Sequence, residues 1–223
     1  MPANKPENTV SSASAWTAFF AVFIQFFNPD KAYAYVTGRE QNKALSGAAA
    51  VILFIGLTPF ILQGIVPSES DLMMPIWLLI ERGILASAAG LGAFILSFAI
   101  GGRKPLLPAI SSSFLSMGAF MILVAFLALL AYLFSLPQGF SWSPAEGMMG
   151  LSMSRLSVFL ILFAARLDVA SLLTVYLWGR GLSVGWNETS SFGQRLAWTI
   201  YLFGILLLTL PVFIAPEGAE GGS

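Results

Sequence analysis

Cysteine and histidine are both absent from the 223-residue sequence. Without them the chain can form no disulfide, ligate no iron–sulfur cluster and offer no imidazole to haem, zinc or copper. Serine–histidine catalysis within the chain is excluded as well. We therefore expect no catalytic residues, no metal site and no cofactor, and we look for a function among proteins that bind, organise or transport.

Charged residues are also scarce, because they make up 10% of the chain while hydrophobic residues make up 57%. Soluble domains carry about 25% charged residues, so this chain cannot cover a water-facing surface. Its apolar residues fall in blocks of about 20, the length of a membrane-crossing helix. We expect an all-α fold: an integral membrane helical bundle of about five transmembrane helices plus an N-terminal interfacial helix. Membrane lipids and other membrane proteins are the expected partners, and nucleic acid is not.

The apolar blocks divide the chain into four parts. A mobile cytoplasmic tail is expected at 1–14, an interfacial helix and linker at 15–43, a five-helix transmembrane bundle at 44–215 and a C-terminal tail at 216–223. Within the bundle, the predicted spans are 44–66, 82–100, 114–136, 156–178 and 196–215. Residues 73–80 are interpreted as a short interfacial lead-in to the second span.

The aromatic stretch 15–27 is the basis for the interfacial helix. Its rings recur at helical spacing, at Trp16, Phe19, Phe20, Phe23 and Phe27. Thirteen residues are few for a span, and aromatic side chains favour the membrane interface. A short first span or a core-packing helix is the alternative.

Basic residues are distributed unevenly between the two predicted sides of the membrane. Eight share the side of the N-terminus: Lys5, Lys31, Arg39, Lys43, Arg103, Lys104, Arg180 and Arg195. The other side holds Arg155, with Arg82 near its surface. Because short cytoplasmic loops collect Lys and Arg, we expect the N-terminus in the cytoplasm and the C-terminus outside.

Arg166 and Asp168 are the charged residues inside the predicted fourth span. On a straight helix Arg166 would lie about 16 Å from Arg155, near the bilayer midplane, and the two side chains would point about 200° apart. Each would then need another partner, and Arg82 and Glu81 are the nearest charged candidates in the predicted bundle. Intramembrane charges mark a functional site by default. In one polar network, Asp168→Ala would cost about 3–5 kcal/mol.

Several interpretations of this pair compete. Residues 156–165 could form an interfacial helix that brings Arg166 to the surface, or the pair could fasten helix to helix. A substrate or ion pathway and a partner-binding site are the functional alternatives.

Two further motifs concern packing and surface contacts. Ala86 and Gly90, like Ala89 and Ala93, have the small-xxx-small spacing that lets helices approach closely in lipid. Arg103 and Lys104 follow two glycines, and we interpret them as a lipid-headgroup contact or topology signal. The phosphate-loop spacing is incomplete, so nucleotide binding is not indicated.

Three segments resemble the short bacterial members of the Yip family. They are 28–33 (Asn-Pro-Asp-Lys-Ala-Tyr), 101–104 (Gly-Gly-Arg-Lys) with Pro108 following, and 167–168 (Leu-Asp) leading to 179–182 (Gly-Arg-Gly-Leu). The resemblance covers about residues 16–214. It implies a non-enzymatic multispanning protein of the bacterial inner membrane that organises membranes or binds partners. The eukaryotic members bind Rab-class GTPases, but their Asp-Leu-Tyr-Gly-Pro motif and long N-terminal region are absent here.

Three functions follow as hypotheses. The leading one is a Yip-like protein that binds or organises other membrane components without catalysis. The second is an accessory subunit of a larger respiratory or photosynthetic membrane complex. The third, a small transporter, depends on Arg166 and Asp168.

Overall fold

The computed structural model describes residues 15–37, 41–63, 69–100, 102, 104–135, 143–145 and 154–214. Its helices, in order, are α1 (Ala15–Ile24), α2 (Pro29–Thr37), α3 (Gln41–Gln63), α4 (Glu69–Ile100), α5 (Leu106–Leu133), α6 (Arg155–Ala165), α7 (Val169–Trp186), α8 (Ser190–Thr209) and α9 (Pro211–Ile214). These ranges contain no strand, so the predicted all-helical fold class is confirmed for them. The predicted tails at 1–14 and 216–223 lie outside the described residues.

Three helical segments are long and apolar enough to cross a membrane: Pro75–Ile100, Leu106–Leu133 and Ser190–Thr209. The consecutive helices α6 and α7 qualify together as a fourth, although they are bent by 59°. Large apolar side chains such as Phe126 (53% exposed) and Leu208 (68%) cover the outside of the bundle. Such a surface suits lipid and not water, so the chain is membrane-embedded. A count of five spans stays a prediction, because the apolar segment in α3, Gly47–Thr58, is shorter.

The helices that contain the second and third predicted spans begin earlier in the sequence than predicted. Residues 73–80, predicted as a separate lead-in, are continuous with the span in α4, which carries Pro75 in its interior. In the same way, α5 begins at Leu106 and not at 114. Pro108 is tolerated because the N–H groups of a first helical turn have no partner within the helix. The serines that follow bond back to the helix: the hydroxyls of Ser112 and Ser113 both donate to the Ala109 carbonyl.

Helix α2 occupies residues that were predicted as a linker. The Asn28 side chain accepts a hydrogen bond from the Lys31 N–H at 3.1 Å, and Pro29 takes the first helical position. Both features start helices. This helix was not predicted, because the segment has few apolar residues and helices were predicted from apolar segments long enough to cross a membrane.

Helix α5 is the centre of the bundle, since it packs against α3, α4 and α7 and also contacts α1 and α2. One core cluster joins α1, α2, α3 and α5 around Tyr33 and Leu115. The other joins α4, α5, α7 and α8 around Trp178 and Leu182. A Cβ on Gly90 would lie 2.8 Å from the Ile110 Cα, so α4 and α5 approach closely where the small-residue spacing predicts.

Candidate ligand-binding cavity and polar clusters

The predicted fourth span is broken at Arg166–Asp168, which corrects the straight helix assumed from its length. Helix α6 ends with Arg166 as its C-cap, and α7 begins after the N-cap Asp168. The argument that the two side chains point about 200° apart therefore fails, because no continuous helix joins them. Within the described residues they form no ion pair with each other.

Asp168 is fully engaged in starting α7. Its Oδ1 accepts the Ser171 N–H at 2.9 Å, and its Oδ2 accepts the Ser171 hydroxyl at 2.6 Å. A carboxylate at a helix N-terminus is stabilised by the unpaired N–H groups and by the helix dipole. This accounts for a half-buried acidic residue in an apolar sequence, since Asp168 has no basic partner among the described residues.

Helix α8 stabilises the break between α6 and α7 through a hydrogen bond. The Tyr201 hydroxyl donates a hydrogen bond to the Arg166 carbonyl. That carbonyl lies where the regular helix stops and lacks its usual partner. The Arg166 side chain is exposed, and its guanidinium meets no acidic group among the described residues.

A half-open cavity of about 350 Å³ lies between α4, α5, α7 and α8, beside this break. Arg82 and Arg166 both line it. Five hydroxyl side chains also line it: Ser113, Ser116, Ser171, Thr174 and Tyr201. The rest of the wall is mainly apolar, with Leu85, Met117, Val175, Ile205 and Leu208. Its volume falls in the range of small-molecule sites.

The fold therefore brings two of the four candidate charged residues, Arg82 and Arg166, to one cavity. Asp168 and Glu81 do not line it. Glu81 lies 3.9 Å from the Arg82 guanidinium, with 47% of its side chain exposed. Such an exposed, long ion pair contributes little to stability. The arrangement is a pair of cations and not the pairing of Arg166 and Asp168 with Arg82 and Glu81 that the sequence suggested.

Not all hydrogen-bond donors of Arg82 have a partner among the described residues. Its guanidinium lies over the Phe120 ring at 5.4 Å, a cation–π contact. Its Nε is buried and has no hydrogen-bond partner in the described part of the chain, and the same is true of Trp178 Nε1 on the cavity wall. Buried N–H groups without a partner are uncommon in native proteins, and each is open to an acceptor.

Lys104, another candidate cation, lies at the opposite end of the bundle, where α4 joins α5 and α7 joins α8; we name this the loop end. Lys104 there forms an ion pair with Glu188, which precedes α8, and its ammonium lies 5.9 Å from the Phe192 ring centroid. Trp186 Nε1 donates to the Pro105 carbonyl at 2.9 Å. Arg103 lies outside the described residues. The lipid-headgroup contact of Arg103 and Lys104 stays a prediction.

An unpredicted ion pair joins α2 to α7 at this loop end. Arg180 Nε donates to Asp30 Oδ1 at 3.0 Å and Nη2 donates to Oδ2, while Nη1 donates to the Ser190 hydroxyl at 2.6 Å. A bidentate guanidinium–carboxylate pair is among the stronger polar contacts. Asp30 and Arg180 belong to two segments that carry the family resemblance, so the fold places those distant segments side by side.

A second unpredicted cluster is buried beneath the ion pair. Tyr33 donates to Gln25 Oε1 at 2.9 Å, and Gln25 Nε2 donates to the carbonyls of Val22 and Leu115. Both side chains are fully buried. Burial raises the pKa of Tyr33, and a hydrogen bond with Ser116 lowers it by less, so the phenol stays neutral. The signal available in the sequence was one glutamine, Gln25, within the aromatic stretch 15–27.

The described residues define a polytopic, all-helical membrane protein with a half-open cavity between its helices, lined by two arginines. No family model, curated protein or solved structure matches the chain.

Proposed function

We propose that this is a non-enzymatic multispanning membrane protein that binds a membrane component in the cavity between α4, α5, α7 and α8. The single observation that supports this most is the joint presence of Arg82 and Arg166 in a mainly apolar cavity within the bundle. A polar anchor beside an apolar wall suits an amphiphile that is already in the bilayer. Binding and organising membrane components is also what the Yip resemblance implies.

We further propose five spans, an α1 helix along the cytoplasmic interface and a cytoplasmic N-terminus in a bacterial inner membrane. The uneven distribution of basic residues supports the orientation. Helix α7 alone, with 18 residues, reaches about 27 Å, close to the hydrocarbon thickness. On this proposal, Arg166 lies near the outer interface and α6 bends along it, as the interfacial alternative for 156–165 suggested.

Native mass spectrometry of the protein extracted with its surrounding lipid tests the binding function. The wild-type protein should retain a bound amphiphile. Gly204→Leu should lose it, because Gly204 lines the cavity and a Cβ there meets nothing within 4 Å. The added side chain can enter the open space without displacing backbone.

Ala88→Leu is the matched control, since Ala88 is exposed on α4 and does not line the cavity. It should retain the bound amphiphile. Equal retention by Gly204→Leu and wild type would contradict the proposal. Recovery of the chain only in a fixed-stoichiometry complex whose other chains carry cofactors would favour the accessory-subunit alternative instead.

A further inference from the structure

We infer that the cavity binds the anionic head of a single-chain amphiphile, such as a fatty-acid carboxylate, with Arg82 and Arg166 as its head-group ligands. This inference deepens the proposed function and rests on it. It specifies the charge of the ligand, the end of the cavity that holds the head and the direction of the chain.

The charge of the cavity favours an anion. The two arginines contribute two positive charges, and no acidic side chain in the described part of the chain lines the cavity. Asp168, the carboxylate nearest to Arg166 in sequence, is engaged by Ser171 and the start of α7. Glu81 lies 3.9 Å from the Arg82 guanidinium, with 47% of its side chain exposed, and does not line the cavity. An anion bound at hydrogen-bond distance in the cavity would therefore stabilise both guanidinium groups.

The hydrogen-bond donors lead to the same conclusion. Each of the five hydroxyls on the wall already has an acceptor within the protein. Those of Ser113, Ser116 and Thr174 donate to carbonyls of their own helices, that of Ser171 to Asp168 and that of Tyr201 to the Arg166 carbonyl. At the end of the cavity beside the break, the donors left over are N–H groups of Arg82 and Arg166. A ligand must therefore supply acceptors.

The arginines lie toward one end of the cavity. Along α4, Arg82 is about 27 Å from Ile100, and along α7, Val169, which follows the break at Arg166, is about 26 Å from Trp186, at about 1.5 Å per residue. Trp178 is only about 12 Å from Trp186 on the same scale. The head group would thus lie near the break, and the chain would extend toward Trp178 and the loop end.

The size of the cavity fits one chain. Its volume of about 350 Å³ is roughly twelve times the ~30 Å³ that one liquid water occupies. A two-chain lipid would have to leave one chain outside, in the bilayer. Leu85, Met117, Val175 and Ile205 provide the apolar wall that such a chain needs.

A brominated fatty acid tests both the charge and the direction, because bromine quenches nearby tryptophan fluorescence. We would titrate 12-bromododecanoate, at a pH where it is ionised, into the full chain in zwitterionic nanodiscs. The Trp178 signal is the difference between wild type and Trp178→Phe. We expect saturable quenching of that signal, with at least about tenfold tighter binding than the neutral methyl ester, as charge-assisted hydrogen bonds require.

Arginine variants test the head-group assignment. Arg82→Gln and Arg166→Gln should each weaken binding of the acid by about tenfold or more, while Arg82→Lys, which keeps the charge but loses the planar guanidinium, should weaken it by less than Arg82→Gln. Arg195→Gln is the control, since Arg195 is exposed and does not line the cavity. Melting temperatures identify any variant that fails to fold. If Arg82→Gln fails to fold, binding is compared between wild type, Arg82→Lys and Arg166→Gln, since Arg166 is exposed.

Each contrary outcome has a distinct meaning. If the methyl ester or the matching trimethylammonium compound binds as tightly as the acid, the anionic assignment is wrong while the proposed binding function stands. If inorganic phosphate competes as strongly as the acid, the site takes free anions and the amphiphile is wrong. If no amphiphile quenches Trp178 and Gly204→Leu changes nothing, both proposals fail.

Discussion

At the scale of single residues, Asp168 shows how a helix break lowers the cost of a charge in an apolar sequence. The N–H of Ser171 and its hydroxyl both bond the carboxylate. The negative charge also lies at the positive end of the α7 dipole. A carboxylate in the interior of a straight membrane helix would have neither, which is why the sequence pointed to a buried ion pair.

This difference changes the stability expected for substitutions. Asp168→Ala should lower the free energy of unfolding by about 0.5–2 kcal/mol, the value of an N-cap, and not by the 3–5 kcal/mol of a broken buried pair. Asp168→Ser should keep most of the stability, because serine also caps helices. Thermal unfolding in detergent measures both.

The double variant with Arg166→Ala provides the check. Because Arg166 and Asp168 form no pair, their effects should add within about 0.5 kcal/mol. A coupling energy well above about 0.5 kcal/mol would indicate that Asp168 belongs to a charge network. Equal free energies of unfolding for Asp168→Ser and Asp168→Ala would indicate the same.

At the scale of helices, the packing of the α1–α2 hairpin against α7 depends on a glycine in α7, Gly181. A Cβ on Gly181 would overlap the Tyr33 ring and lie 2.8 Å from the Ser112 Cβ. Tyr33 is fully buried and bonded to Gln25, so its ring has little room to move. Only glycine at 181 lets α2 approach α7 this closely.

We therefore predict that Gly181→Ala destabilises the protein by about 1–3 kcal/mol through overpacking. Gly204→Ala is the matched control: nothing lies near its Cβ, so the better helix propensity should leave stability unchanged or raise it by up to about 1 kcal/mol. Melting curves of the two variants compare them directly. Equal melting temperatures would show that the hairpin does not pack against Gly181.

At the scale of the whole molecule, polar contacts concentrate at the loop end. Asp30, Lys104, Arg180 and Glu188 form two ion pairs there, between residues up to 150 positions apart in sequence. Ion pairs at the ends of the helices and apolar side chains along the bundle are what a membrane environment requires. This arrangement agrees with the proposed cytoplasmic position of the loop end.

The orientation can be tested with single cysteines, because the natural chain has none. Pro144→Cys should react with a membrane-impermeant thiol reagent added to intact cells. Ser11→Cys and Ser191→Cys should react only after the membrane is permeabilised, as the positive-inside rule requires. Both Pro144 and Ser191 are exposed. Ready labelling of Ser11→Cys in intact cells would contradict both the cytoplasmic N-terminus and the interfacial α1.

Composition and the spacing of apolar residues were sufficient to predict an all-helical membrane protein. Lipid leaves the backbone no alternative to helices, so a chain with this apolar content has few other folds open to it. The close approach of α4 and α5 was also predictable, because the small residues that permit it repeat along one helix face. Helix α2 was not predicted, because it has few apolar residues and the prediction relied on apolar segments of membrane length.

Only the tertiary structure decided what surrounds each polar residue. The sequence singled out Arg82, Glu81, Arg166 and Asp168, but not that Arg82 and Arg166 line one cavity while Asp168 caps a helix. Nor did it show that Asp30 meets Arg180 or that Tyr33 packs on Gly181. Lipid tolerates many apolar side chains at a given position, so apolar patterns determine which segments are helices. Which charges meet depends on where a helix breaks and which helices become neighbours, and both are decided by long-range packing.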